Sequence, residues 1–267
     1  MLKKFKIAKQ AELAQLQDLE QQGMFPTAMV EKRPGFKRAL QAKGPGAVIA
    51  EYKRASPSKG TINLAAQPEE IALGYAQAGA AAISVLTEEQ YFKGDFNFLF
   101  NMRGKMFAGG LGHNLPLLRK DFLFHPLQIK QTAASPASAY LLIVRMLDLK
   151  LLKHLIDLGQ EYGLEPVVEV FDERDLELAQ AAGADIIQVN NRDLARLEVN
   201  LNNSNQLIKH KKTGEFWISA SGIDSSQQIK ELVGLGFDAV LVGSSLMSAP
   251  NPLQALASLQ RGKAEGD

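Results

Sequence analysis

VIAEYKRASPSKG occupies residues 48–60. Its apolar run, Val48, Ile49 and Ala50, delivers Glu51 and Lys53 two residues apart, and the chain then breaks into Ser56, Pro57, Ser58 and Gly60. Residues i and i+2 of a strand point to the same face. A carboxylate and an ammonium therefore project together from the C-terminal tip of a buried strand, beside a polar turn. Charges inside a sheet are costly unless paired or used. The segment predicts an active site at a strand's end.

Strand-like segments recur outward from that stretch, at 48–53, 82–86, 115–118, 140–144, 166–170, 186–190, 216–220 and 239–242. They are short, apolar and rich in Val and Ile, as strands covered on both faces should be. Helical patterns separate them at 68–78, 126–134, 149–162, 173–182, 202–211 and 225–235. Eight strands alternating with helices predict a parallel sheet. Gly79, Gly183 and Gly236 each stand where a helix ends before a strand. Their spacings are multiples of about 26 residues, the size of one βα unit when ~250 residues cover eight of them. That regular period favours closure into a (β/α)8 TIM barrel over an open doubly wound sheet. The expected organisation is one domain over 1–267, with an N-terminal helical extension at 1–45 and the barrel at 46–260.

Bulk composition removes several function classes. Lys and Arg total 30 against 29 Asp and Glu, so no net field draws the chain to nucleic acid or an acidic membrane surface. Without cysteine, disulfide and thiolate chemistry are excluded, which fits a reducing cytosol. No apolar run reaches the ~18 to 20 residues a membrane span needs, and the first 23 residues are too polar for a secretory signal. A cytoplasmic protein is expected. Nothing marks an oligomer interface, so a monomer or weak homo-oligomer is expected.

In such a barrel the chemistry sits where strands end and βα loops begin. Those positions hold Glu51, Lys53 and Ser56; the stretch Thr87 to Gly94; Arg119, Lys120, Asp121 and Phe122; Arg145; Glu169; Asn190 and Arg192; Ser221 and Gly222; and Gly243 and Ser244. Lys120 and Glu169 come from different strands and can face one another as general acid and general base, roles that work best near ambient pH. Lys53 and Arg192 nearby would push the Lys120 ammonium down. A structural ion pair is the ordinary reading of any one Lys–Glu couple, but five charged groups converging on one face would incur a large desolvation cost for no return. The small residues Ser221-Gly222 and Gly243-Ser244 let backbone N–H groups approach an anion after the last two strands, where phosphate usually binds in this fold. A one-turn helix is expected from Ser244 to Met247. Either Gly-Ser pair alone reads as a tight turn with a serine cap; both at proper strand ends favour the anion site.

Other features carry less. His113, His125, His154 and His210 lack metal-ligand spacing and belong on helix or loop surface. Gly109-Gly110-Leu111-Gly112 precedes a strand instead of following one, so the dinucleotide-loop mechanism is absent.

The motifs AEYKRASPSKG, ISVLTEEQYFKGD, LPLLRKDF, LLIVRML, VVEVFDERDL, VNNRDL, SASGI and VGSSLM stand in that order. Together they resemble the indole-3-glycerol phosphate synthase family over nearly the whole chain, residues 1–256. The resemblance implies a barrel enzyme of tryptophan biosynthesis that converts 1-(2-carboxyphenylamino)-1-deoxyribulose 5-phosphate into indole-3-glycerol phosphate, carbon dioxide and water, without metal or organic cofactor. It implies that Lys120 is the acid assisting ring closure and Glu169 the base for dehydration. Lys53 would contact the substrate and donate a proton, with Glu51 orienting it. Ser56, Gly222, Gly243 and Ser244, with Ser221 beside them, would hold the phosphate. Asn190 and Arg192 would surround the anthranilate and ribulose portions, and Leu86, Phe92 and Phe122 would wall the aromatic ring.

The chain departs from the family's usual pattern in three places. Ala220 stands before Ser221 where glutamate is usual, Gln188 stands where glycine is usual, and residues 103–114 run slightly longer on the face opposite the chemistry. Gln188, two residues before Asn190, turns into the barrel and partly fills the space or hydrogen-bonding capacity left by Ala220. Turnover weaker than a standard member is expected, and two alternatives stay open. One is a non-catalytic or repurposed paralogue that binds phosphate; the other is a related phosphate-binding barrel, such as an isomerase acting on phosphoribosyl anthranilate.

Overall fold

A computed structural model of the chain describes residues 1–110, 115–193 and 197–261. Its eight barrel strands are β1 (Ala47–Tyr52), β2 (Ala82–Leu86), β3 (Leu117–Lys120), β4 (Ala139–Ile143), β5 (Glu165–Val170), β6 (Ile186–Asn190), β7 (Phe216–Ala220) and β8 (Ala239–Val242). Every strand pairs in parallel with its neighbours in sequence, and β1 pairs with both β2 and β8, closing the ring. A two-residue antiparallel ribbon, Ala55–Ser56 against Gly60–Thr61, folds the loop after β1 back on itself.

Period-two alternation divides the strands into two buried layers. Ala47, Ile49, Leu118, Leu141, Val167, Ile186, Ile218 and Leu241 pack together inside the barrel. Val48, Ala50, Tyr52, Val85, Leu142, Val168 and Val240 pack outward against the helices. Two residues further toward the C-terminal rim these inner rows reach Glu51, Lys120, Glu169, Gln188, Ala220 and Gly243, and on β6 two more reach Asn190. The sheet geometry therefore delivers the charged residues to one mouth.

Three helices precede β1: α1 (Leu2–Ala8), α2 (Gln10–Gln21) and α3 (Phe36–Ala42). After it come α4 (Pro68–Gln77), α5 (Phe98–Ala108), α6 (Pro126–Ala133), α7 (Leu149–Glu161), α8 (Glu173–Ala181), α9 (Asn202–Leu207), α10 (Ser226–Leu235), α11 (Ser244–Met247) and α12 (Pro252–Arg261). The expected one-turn helix is α11. Caps set several starts: Asp148, Asp172 and Ser225 each accept a backbone N–H of the following turn. Gly79, Gly183 and Gly236 adopt φ of 88°, 82° and 107°, the left-handed stop that the sequence predicts.

Two expectations need correction. The third strand starts at Leu117 and ends at Lys120, two residues later than the sequence reading placed it. Pro116 has no N–H for the ladder, while its carbonyl accepts from Ile83 at 3.0 Å just ahead of the strand. The predicted helix over 202–211 gives way to a 3₁₀ turn at Ile208–His210. Of the longer stretch at 103–114, residues 111–114, with His113 and Gly112, lie outside the described residues.

Candidate active site

The barrel mouth opens into a cavity of about 240 Å³. Glu51 continues the inner row of β1 and is 4% exposed. Its Oε1 accepts from Lys53 Nζ at 2.5 Å and its Oε2 from Ser84 Oγ at 3.4 Å. Burial opposes its ionisation, but Lys53 and Lys120 beside it hold the carboxyl below the usual carboxylate range. Lys120, ending β3, reaches across to Glu169 of β5, with Nζ 3.5 Å from Oε2. Glu169 is 1% exposed. Both couples face the same cavity.

The direction expected for Lys120 is overturned. Burial does work against its charge, yet the carboxylates of Glu169 and Glu51 outweigh it and raise the ammonium above the ordinary lysine value. The sequence reading weighed the neighbouring cations and passed over the carboxylates, which lie in the same mouth. Lys120 accordingly holds its proton at neutral pH and can donate it.

Beyond Glu169 the rim turns polar. Asn190 Oδ1 accepts the backbone N–H of Arg192 at 2.9 Å, and Arg192 Nη1 donates to the Leu197 carbonyl at 2.9 Å. Both side chains line the cavity. Burial lowers the Arg192 guanidinium pKa, with Glu51 opposing. Gln188 sits one inner-row step below Asn190, fully buried, and its Nε2 lies 2.5 Å from Glu169 Oε2. As expected its side chain turns into the barrel, but its hydrogen bond goes to Glu169 of β5 and not toward Ala220 of β7.

The opposite side of the mouth is built of small residues. Ser221 and Gly222 turn the chain after β7 with φ of 71° and 84°. For the serine this left-handed conformation costs about 1 kcal/mol or more. A Cβ at Gly222 would meet the Val199 side chain, and one at Gly243 would run into the Glu51 carboxylate. Glycine is thus required for the loop after β8 to pass the charged centre. Ser245 Oγ donates to the Ile223 carbonyl at 3.0 Å, tying the last two loops together. Ser56 approaches from the loop after β1, its Oγ accepting the Lys59 backbone N–H at 3.2 Å. Ser56, Lys59, Ser221, Gly222, Gly243 and Ser244 all border the cavity. Lys59 was not among the sequence candidates.

Leu86, Phe92 and Phe122 form the apolar wall. The buried Glu88 carboxylate accepts the backbone N–H groups of Gln90, Tyr91 and Phe92 at 2.8–3.0 Å, which fixes the Phe92 loop. The sequence reading missed Phe5. This residue of α1 stacks on Phe122 with ring centroids 4.0 Å apart, lies 6.2 Å from Phe92, and borders the cavity together with Met1. An apolar position in the N-terminal helical extension was visible; its partner, more than a hundred residues away, was not.

Some strand-end residues stay out of the site. Arg145 lies in the 3₁₀ turn after β4, binding Asp172 at 2.6 Å and Asp175 at 2.7 Å outside the cavity. Arg119 points outward from β3, is fully buried, and binds Asp121 and Glu12. His125 caps α6 by accepting the Leu127 N–H, whereas His154 and His210 are exposed, as expected. Among the described residues no cluster of three or more His, Cys, Asp or Glu is placed to hold a metal ion. No described helix is long and apolar enough to cross a membrane.

Comparison with known proteins agrees with this geometry. The chain is similar to the indole-3-glycerol phosphate synthase of Aquifex aeolicus (strain VF5), 46% identical over 226 residues that cover 84% of each protein. The enzyme of the same name from Carboxydothermus hydrogenoformans is 42% identical over 82% of this chain and 80% of its own length. Among solved structures, 3-hexulose-6-phosphate synthase from Salmonella typhimurium superposes with a TM-score of 0.63 at 16% identity, covering 83% of this chain and 100% of that one. Thiamine phosphate pyrophosphorylase from Pyrococcus furiosus gives 0.60 at 15% identity, covering 82% and 96%. At such identities the likeness is one of fold. The sequence model of indole-3-glycerol phosphate synthases matches residues 2–259, and the chain belongs to that family.

Proposed function

We propose that the mouth carries out indole ring formation from 1-(2-carboxyphenylamino)-1-deoxyribulose 5-phosphate. The observation behind this reading is the convergence of two lysine–carboxylate couples on one cavity that has a small-residue rim and an apolar wall. The sugar phosphate lies among the N–H groups of the loops after β7 and β8, with Ser56 and Lys59 closing over it. The carboxyphenyl ring stacks into Phe92, Phe122 and Phe5. Asn190 and Arg192 bind between the two ends.

Held in that way, the ring carbon bearing the carboxylate meets the ketone carbon in near-attack geometry, which supplies much of the rate. As that carbon–carbon bond forms, Lys120 donates its proton to the ketone oxygen. Carbon–carbon cleavage then releases carbon dioxide, and its electron pair restores the aromatic ring. Desolvation of the carboxylate against the apolar wall assists the step. Glu169 removes a proton as the hydroxyl leaves with a proton donated by Lys53, completing the second double bond and releasing water.

Turnover of this substrate by the purified chain, followed by the fluorescence of the indole product, tests the reading. Product formation that collapses in Glu169→Gln supports it. Tight binding without turnover would point to a non-catalytic relative, and an isomerised product to a different barrel chemistry. The amino-acid pathway and the phosphate end of the substrate also favour a soluble cytoplasmic setting.

A further inference from the structure

Gln188 lies on the inner row of β6, directly beside Glu169 of β5 in the parallel register. The side chain is fully buried. An ionised carboxylate only accepts hydrogen bonds, so the amide NH₂ half must face it, and Nε2 donates to Glu169 Oε2 at 2.5 Å. The same oxygen receives the 3.5 Å contact from Lys120 Nζ. The other half of the amide behaves differently. Oε1 of Gln188 is buried with no hydrogen-bond partner among the described residues. Buried side-chain amides ordinarily satisfy both ends, because an orphan acceptor loses its water for nothing. A residue kept here for packing alone would be better served by methionine or leucine. The polarity of Gln188 is therefore explained by its one hydrogen bond to Glu169. Ala220, two strands from Glu169 and paired with Asn190, brings no side-chain donor or acceptor of its own.

We infer that Gln188 is a positioning residue for Glu169. Its amide and the Lys120 ammonium both engage Oε2, which turns the carboxylate so that Oε1 faces the cavity. Oε1 is then the atom that takes the proton in the dehydration, while the leaving hydroxyl departs as water with the proton from Lys53. The inference rests on the reading of Glu169 as the base. It adds a residue that touches no substrate and a choice between two chemically equivalent oxygens.

The full chain carrying Gln188→Met, Glu169→Gln, or both is compared by steady-state kinetics and thermal unfolding. Gln188→Met keeps the volume and removes the donor. Its kcat falls by on the order of tenfold to a hundredfold, since a misaimed base loses that much, while KM changes by less than about twofold because the substrate contacts persist. On the Glu169→Gln background the same change has no further effect, since the group it aims is gone. A merely structural glutamine would lower the unfolding temperature and leave kcat of the folded fraction unchanged. Gln188→Leu gives the second apolar variant should methionine impair folding. Retention of wild-type kcat in both apolar variants, with Glu169→Gln inactive, overturns the positioning role alone. A multiplicative loss in the double variant also overturns it. Full turnover by Glu169→Gln overturns the base reading and this inference with it.

Discussion

Glu51 and Glu169 are both almost fully buried and both face a lysine, but the two couples are held differently. Lys53 sits 2.5 Å from Glu51, whereas Lys120 stays 3.5 Å from Glu169. A pair present only for stability would close to contact, since a loose buried pair gains too little to offset desolvation. The longer Lys120–Glu169 contact leaves the ammonium with donor capacity for a substrate. Lys120→Met should lower kcat by about 10²- to 10⁴-fold, the range for loss of a positioned acid, with circular dichroism unchanged. Because the ammonium is raised above its ordinary value, it stays protonated at neutral and mildly alkaline pH. The pH profile of kcat should therefore show no basic limb below about pH 9.5 from this group. Position 220 ends the inner row of β7 and is 3% exposed at the cavity. Ala220→Glu should raise kcat by about threefold or more by adding a preorganised charge to a site rich in cations; an unchanged or lower rate would sink the idea that this alanine limits turnover.

Helices α1 and α2 are fastened to the rim by a buried ionic cluster. Lys9 donates to Asp121 at 2.9 Å, Thr87 Oγ1 donates to the same Oδ2 at 2.6 Å, and Arg119 binds it at 3.1 Å. Lys9 and Arg119 also meet Glu12 of α2. Burial favours the neutral Asp121, but Lys9 and Arg119 overcome it and bring the carboxyl down to about 2. A carboxyl lowered on folding contributes stability above its unfolded value near 3.9, and that contribution disappears as pH falls through the folded value. The lowering corresponds to on the order of 2 to 3 kcal/mol. Denaturant titrations should show this loss between about pH 4 and pH 2, and Lys9→Met should reduce stability at neutral pH by about 2 kcal/mol. The sequence pointed to Thr87, Arg119 and Asp121 but not to Lys9, Glu12 or the cluster they form. Asp121 does border the mouth, but Arg119 only looked like a rim residue, because a charge at a strand end reads as facing the mouth. In the fold, the alternation that aims Lys120 inward sends Arg119 outward, where the helical layer supplies its partners. Helix α5 was equally hidden, since exposed Phe100 and Phe107 and an interior Gly104 blur the stripe of Phe98, Met102 and Met106.

At the scale of the molecule, most of the site was legible because it depends on local rules applied eight times. Each strand has a period of two, each ends at one rim, and the ring closes, so Glu51, Lys53, Lys120, Glu169, Asn190 and Arg192 meet without any further information about packing. The N-terminal contribution has no such rule behind it. Phe5 reaches the cavity because α1 lies across the barrel mouth, an arrangement set by long-range contacts with Phe122 and Tyr91. None of the barrel's strand pairings involves α1, so the barrel should stay folded when this helix is altered, while the pocket loses one aromatic face. Phe5 is 2% exposed, and withdrawing such a wall from a bound ring costs about 1–2 kcal/mol. Phe5→Ala should accordingly raise KM by about tenfold with a smaller change in kcat. Ile7 is 71% exposed on the same helix, and Ile7→Ala should leave both constants unaltered. Equal kinetics for the two variants would mean that α1 merely covers the barrel; separate behaviour makes the first helix part of the substrate site.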